Sequence, residues 1–177
     1  EVIVEINTNL SPAFEGLHDI YIPSYRPTRQ PIPLTQVDER IGTTAINIDP
    51  AKIVGIVFNS ELHDSPSTVT EPDDETQGIA NHLIAFFEKE VAEGRLPKDL
   101  GPLQAGIGSI ANAVLTGLKD SNFEDLVMYS EVLQDCTFEL IDAGKMKFAS
   151  GSSITLSAKY GEKVFNNLEQ YKDKLVL

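Results

Sequence analysis

The sequence of 177 residues contains no tryptophan, a single cysteine, and only 14 Lys and Arg against 27 Asp and Glu. Each shortage excludes something. The formal net charge of −13 argues against a nucleic-acid partner, whose phosphates need clustered basic side chains. It leaves room for a phosphorylated ligand, because a pocket can be locally positive on an acidic protein. The lone Cys136 can form no internal disulfide and no cysteine-rich zinc site. That points to a reducing intracellular compartment, cytoplasmic, or mitochondrial in a eukaryote. No apolar run is long enough to span a bilayer, and no charged n-region followed by an apolar h-region opens the chain, so no membrane partner is expected. HExxH and CxxC spacings are missing, so no metal is expected, and without a GxSxG elbow a serine-hydrolase triad has no support.

What is present reads as a globular α/β protein. Hydrophobic residues make up 41% and charged residues 23%, a composition that can bury a core. The chain opens directly on the strand-like run Val2-Ile3-Val4-Glu5-Ile6 and closes on Lys174-Leu175-Val176-Leu177, so both ends read as cut from a longer chain. Residues 2–6 alternate apolar and acidic side chains, the period of a half-exposed strand. Six of the ten prolines fall within residues 12–50, and residues 23–33 cannot be helix because prolines bias their predecessors to extended geometry. Residues 53–58 form a continuous apolar run, which predicts a strand buried on both faces. Residues 59–72 carry Ser, Asp, Thr and Pro without periodicity and read as a surface loop.

Beyond that loop, helices and strands alternate. Asp74 with Gln77 predicts a capping box, followed by a helix carrying Ile79, Leu83, Phe86, Phe87 and Val91 on one face and stopped by Gly94 and Pro97. Residues 103–105 read as a short strand, and Ser109 as the cap of a helix with Ile110, Ala113, Val114 and Leu118 inward. Residues 126–129 form the next strand, with Ser130 capping a helix that runs to about Ile141. Residues 145–150 and 159–172 add a further strand and a last amphipathic helix. The alternation predicts an open, mostly parallel sheet flanked by helices.

In such sheets ligands bind beyond the carboxyl ends of the strands. Two consecutive strand-to-helix handovers carry candidates there. Gly106-Ile107-Gly108 can expose backbone N–H groups at a helix N-terminus, which suits a phosphate or an oxyanion. Glu131 is placed in the first turn of the helix after its strand, where a carboxylate is held ionised and available as a nucleophile. By pattern alone, a packing turn and a dipole-favouring acid account for these residues more readily. His18, His63 and His82 are scattered, with His82 on a polar helix face, and Cys136 lies one turn from Leu133 and Leu140, which marks it as core. From the residues alone, an acyl-transferring enzyme, a phosphate-binding module and a non-catalytic interaction module all stay open.

Several motifs in order add a resemblance. They are Phe14-Glu15-Gly16-Leu17-His18-Asp19-Ile20, Asp49-Pro50 leading into residues 53–57, Asp74-Glu75-Thr76, and Gly94-Arg95-Leu96-Pro97. The two most specific are Leu103-Gln104-Ala105-Gly106-Ile107-Gly108-Ser109-Ile110-Ala111-Asn112-Ala113-Val114 and Tyr129-Ser130-Glu131-Val132-Leu133-Gln134-Asp135. Together they resemble the acetyl-CoA hydrolase/transferase family, of the succinyl-CoA:acetate and propionyl-CoA:succinate CoA-transferase type. The resemblance implies a CoA-transferase-like (NagB/RpiA-type) α/β fold, present here as a fragment. Residues 1–60 would end an N-terminal domain, 61–73 would be a linker, and 74–177 would begin a C-terminal domain.

The same resemblance implies Glu131 as the catalytic glutamate, and Gly106, Ile107 and Gly108 as the oxyanion and CoA-binding turn. It further implies coenzyme A as substrate and product, acyl-CoA and small carboxylates as partners together with the rest of a parent polypeptide, and compatibility with a homo-oligomer. CoA transfer is the leading activity, and acyl-CoA hydrolysis on the same glutamate the alternative. Ser109, Ala105 and Cys136 depart from the family's usual Asn, Ser, and Gly or Ser, which bears on acyl preference. A later glycine-rich segment of the family does not occur in the sequence, so the fragment is expected to be inactive alone.

Overall fold

The computed structural model describes residues 1–60 and 72–177. The expected linker 61–73 therefore lies almost wholly outside the described residues, as does His63. Strand β1 (Val2–Asn7) pairs in parallel with β2 (Ile53–Asn59) in a two-stranded sheet. The long connection between them holds no α-helix, as its prolines dictate, and makes only short 3-10 turns at Pro12–Phe14 and Pro50–Lys52.

Helix α1 (Asp74–Ala92) follows the undescribed segment, then β3 (Pro102–Leu103), α2 (Ser109–Asp120), β4 (Leu126–Leu133), α3 (Asp135–Asp142), β5 (Met146–Ile154), α4 (Ala158–Asn166) and β6 (Leu175–Val176). Strands β3 to β6 form a second sheet, all parallel and in sequential order. Each parallel step needs a helical crossover, and α2, α3 and α4 supply them. The α/β expectation of a parallel sheet with flanking helices is met.

The core sits on this four-stranded sheet. Leu118, Leu126, Met128, Leu133, Phe138 and Leu140 are almost fully enclosed, each burial contributing about 1.5–3 kcal/mol. The N-terminal segment also reaches into it. Leu17 is completely buried in the same cluster, and Phe14 packs on Phe165 with ring centroids 5.9 Å apart. The Leu177 N–H donates to the Leu17 carbonyl at 3.1 Å, and the Asp19 N–H to the Leu177 carbonyl at 2.7 Å. Backbone hydrogen bonding thus continues past β6 onto residues 17–19.

Several local expectations are corrected. β2 is not buried on both faces: Val54, Ile56, Val57 and Phe58 are all more than half exposed. Its one partner strand is β1, and among the described residues no layer covers the sheet. Helix α1 is capped by Asp73 rather than Asp74, the Asp73 carboxylate accepting the Thr76 N–H at 2.8 Å. Its inward face is Ala80, Leu83, Ile84, Phe87 and Val91, whereas Ile79 and Phe86 turn outward. Gly108, not Ser109, is the N-cap of α2, and there Ile110 is exposed while Leu115 is buried. The expected final helix 159–172 breaks after Asn166 into two 3-10 turns, Leu168–Gln170 and Lys172–Lys174, which still bury Leu168 and Tyr171.

Candidate active site at the ends of strands three and four

The two handovers named from the sequence lie side by side because β3 and β4 are neighbours in the sheet, with Leu103 opposite Met128. Past that register point, β3 ends and the chain turns through Gly106, Ile107 and Gly108 into α2. Gly108 has φ +154°, a conformation that side-chain-bearing residues rarely adopt, which explains glycine at the cap. Ile107 is 75% exposed. Its backbone N–H has no hydrogen-bond partner among the described residues.

β4 runs further than expected and carries Glu131 within the strand. The helix α3 begins only at Asp135, so Glu131 is not in a helix first turn and gains nothing from a helix dipole there. The physical reason is pairing: β5 continues as a partner beyond Ser130, matching Val132 with Ser153 and Leu133 with Ile154, and this holds the backbone extended. Ser130 caps no helix either. Its hydroxyl donates to the Ala105 carbonyl at 3.0 Å and accepts the Ala105 N–H at 3.4 Å.

The strand period then sorts the side chains. Leu126 and Met128 are buried on one face, while Tyr129 and Glu131 are exposed on the other, which closes over only at the buried Leu133. Glu131 is exposed, and its carbonyl accepts the Ser152 hydroxyl at 2.8 Å from the adjoining strand. Gln134, at the α3 N-cap, donates its side-chain amide to the Gly106 carbonyl at 3.3 Å. Positions 130 and 134, on either side of Glu131, are therefore tied to Ala105 and Gly106, at the entry to the glycine turn.

Beside that turn opens a cleft of about 560 Å³ between α1, α2 and residues 103–111, lined chiefly by Leu83, Phe87, Ile107, Ile110 and Val114. Among the described residues no charged side chain lines it. Its walls are mainly apolar, with the Gly106-Ile107-Gly108 turn at one side.

The remaining candidates fall elsewhere. His82 is exposed on α1, as its polar register implies. Cys136 is 1% exposed in the core, and burial pushes its thiol up to about 12, which makes it a poor nucleophile. Sequence reasoning missed Gln134 and the tie from Ser130 to Ala105. The Gln134-Asp135 pair was visible as part of a motif, but only the adjacency of β3 and β4 shows what the glutamine touches. Among the described residues no helix is long and apolar enough to cross a membrane.

No family model matches the chain. Curated relatives do. Over 177 residues, the whole of this chain, it is 47% identical to an acetyl-CoA hydrolase of Candida albicans, of which it spans 33%. An acetyl-CoA hydrolase of Neurospora crassa is 49% identical over 181 residues with the same coverage, and that of Saccharomyces cerevisiae 44% identical over 177 residues. The chain thus spans about a third of the length of the relatives it matches. Among solved structures, RipA from Yersinia pestis is similar in fold, with a TM-score of 0.51 at 20% identity, covering 66% of this chain and 26% of that one. Matched from end to end at 44–49% identity, the chain is similar to acetyl-CoA hydrolases over the whole of its length, in keeping with the resemblance that the order of its motifs implied.

Proposed function

We propose that this chain carries the nucleophile of an acyl-CoA-processing enzyme, and that the nucleophile is Glu131. The observation that carries the reading is the exposed Glu131 on the strand beside a turn whose Ile107 N–H is unpartnered, in a chain matched over its whole length to acetyl-CoA hydrolases. A Glu131 carboxylate oxygen attacks the thioester carbonyl carbon. Negative charge collects on the carbonyl oxygen, where the Ile107 N–H donates to it. The carbon–sulfur bond then breaks, CoA leaves as thiolate, and an acyl-glutamyl anhydride remains. The thiolate attacks the glutamyl carbonyl and releases the acyl carboxylate, leaving a glutamyl-CoA thioester.

In the leading form of the reaction an acceptor carboxylate attacks that thioester and departs with CoA through the same two steps reversed. The name carried by the fungal relatives favours water as the acceptor, which gives hydrolysis on the same glutamate. Among the described residues the cleft has no charged side chain to neutralise the phosphates of CoA. This supports a division of labour in which residues 74–177 begin a second domain, residues 1–60 end a first, and the rest of a parent polypeptide completes the CoA site. The present chain alone is then inactive.

Borohydride treatment of the full-length enzyme with acyl-CoA tests the central claim. It should reduce a glutamyl thioester and mark the peptide containing Glu131. An unmarked peptide, or full activity in Glu131→Ala, would overturn the reading. Release of CoA from acetyl-CoA at the same rate with and without succinate would assign hydrolysis rather than transfer.

A further inference from the structure

We infer that Gln134 is a positioning residue, which fixes the direction of the Ile107 N–H by holding the opposite end of the same peptide group. The inference rests on the reading of that N–H as an oxyanion donor. The Gly106 carbonyl and the Ile107 N–H belong to one planar peptide unit, and in the trans form they point in opposite directions. Gln134 donates to this carbonyl at 3.3 Å, so the N–H on its far side is turned away from Gln134 and left unpartnered.

Something has to hold that plane. Rotating a peptide group requires the preceding residue to pass through backbone conformations closed to most side chains, and Gly106 is open to them. A Cβ at Gly106 would meet nothing within 4 Å, so packing at this α-carbon does not restrain the turn. The restraint comes from β4 and the cap that follows it. Ser130 holds the Ala105 carbonyl and Gln134 the Gly106 carbonyl, two consecutive peptide oxygens gripped from either side of Glu131. A hydrogen bond accepted by the carbonyl also polarises the peptide and strengthens its N–H as a donor. One segment thus presents the nucleophile and aims the amide that stabilises the charge the nucleophile creates.

The test uses the full-length enzyme with acetyl-CoA and four variants: Gln134→Leu and Gln134→Glu, which lose the donor, Gln134→Lys, which keeps one, and Glu131→Gln. Removing an oxyanion donor outright costs about a hundred- to thousandfold in kcat, so a donor left in place but badly aimed should cost about tenfold. The two donor-less variants are expected to show that fall in kcat, with KM and melting temperature close to the parent values, and Gln134→Lys is expected to recover most of the rate. A purely structural role would instead lower the melting temperature and leave kcat of the folded fraction unchanged. Parental kcat in both Gln134→Leu and Gln134→Glu, with Glu131→Gln inactive, overturns this inference alone. An active Glu131→Gln overturns the underlying assignment and this inference with it.

Discussion

The carboxylate of Asp135 accepts two hydrogen bonds from Ser157, one from the backbone N–H at 2.9 Å and one from the hydroxyl at 2.5 Å. Asp135 begins α3 directly after the Glu131 strand, and Ser157 is the N-cap of α4. The pair therefore ties the start of one crossover helix to the start of the next, across the end of the sheet where the candidate site lies. Asp135 is buried, so its loss would strand polar groups away from water. Asp135→Ala is expected to destabilise the protein by about 3 kcal/mol, since hydrogen bonds to charged groups contribute about 1.5–3 kcal/mol each and are not additive. Denaturant unfolding measures this, and a double-mutant cycle with Ser157→Ala should show clear coupling.

Gly151 lies opposite Ser130 in the sheet, and a Cβ there would come within 2.7 Å of the branch carbon of Leu133, two residues after Glu131. Leu133 is completely buried and cannot swing clear. Gly151→Ala should destabilise by about 1–3 kcal/mol, the usual cost of overpacking a core. In the full-length enzyme it should also lower thioester cleavage, because Leu133 and the proposed nucleophile lie on the same strand. Thermal unfolding together with a steady-state assay checks both effects.

Gly108 has open space around its α-carbon but φ of +154°. Gly108→Ala is therefore strained through its backbone rather than through a clash, at a cost of about 1–3 kcal/mol. Relaxing that strain would shift the turn holding Ile107. A fall of about tenfold in kcat, with the melting temperature lowered only slightly, is the expected result.

Cys136 should resist alkylation in the folded protein and react at once on unfolding, as thiol titration with and without denaturant would show. Burial raises its folded value to about 12 from an ordinary 9.0. Tyr160 and Tyr171 are also raised, first by burial and then by donating hydrogen bonds to Glu139 and Asp142 respectively. All three groups keep their protons longer folded than unfolded. Their stabilisation is complete below about pH 9 and is lost as the pH rises above it, because the unfolded chain ionises first. Stability measured from pH 8 to pH 11 should fall steadily, and a flat profile would contradict this account.

Much of this was legible in the residues. The alternation of periods gave the order of elements from residue 74 onward, and the prolines of residues 23–33 excluded helix. The motif around residues 103–114 marked the turn, and the relatives bear out the family it implied. The errors share one cause. Ser130-Glu131 was placed at a helix start because a serine followed by an acid is a local capping pattern, yet strand pairing with β5 kept it extended. The apolar run of β2 implied cover on both faces, and the described residues contain one neighbouring strand and no layer above it. Helix α1 shows the same limit on a smaller scale, with Ala80 and Ile84 inward in place of Ile79 and Phe86.

The sequence by itself determined which segments could be helix or strand, which residues were chemically able to act, and which relatives the chain resembles, because propensity, turn chemistry and motif order are properties of the chain. Only the tertiary structure decided that Gln134 meets Gly106, that Ser130 meets Ala105, and that Leu17 joins the core of a sheet more than eighty residues further along. Those contacts depend on which strands lie next to each other, and no local pattern encodes that.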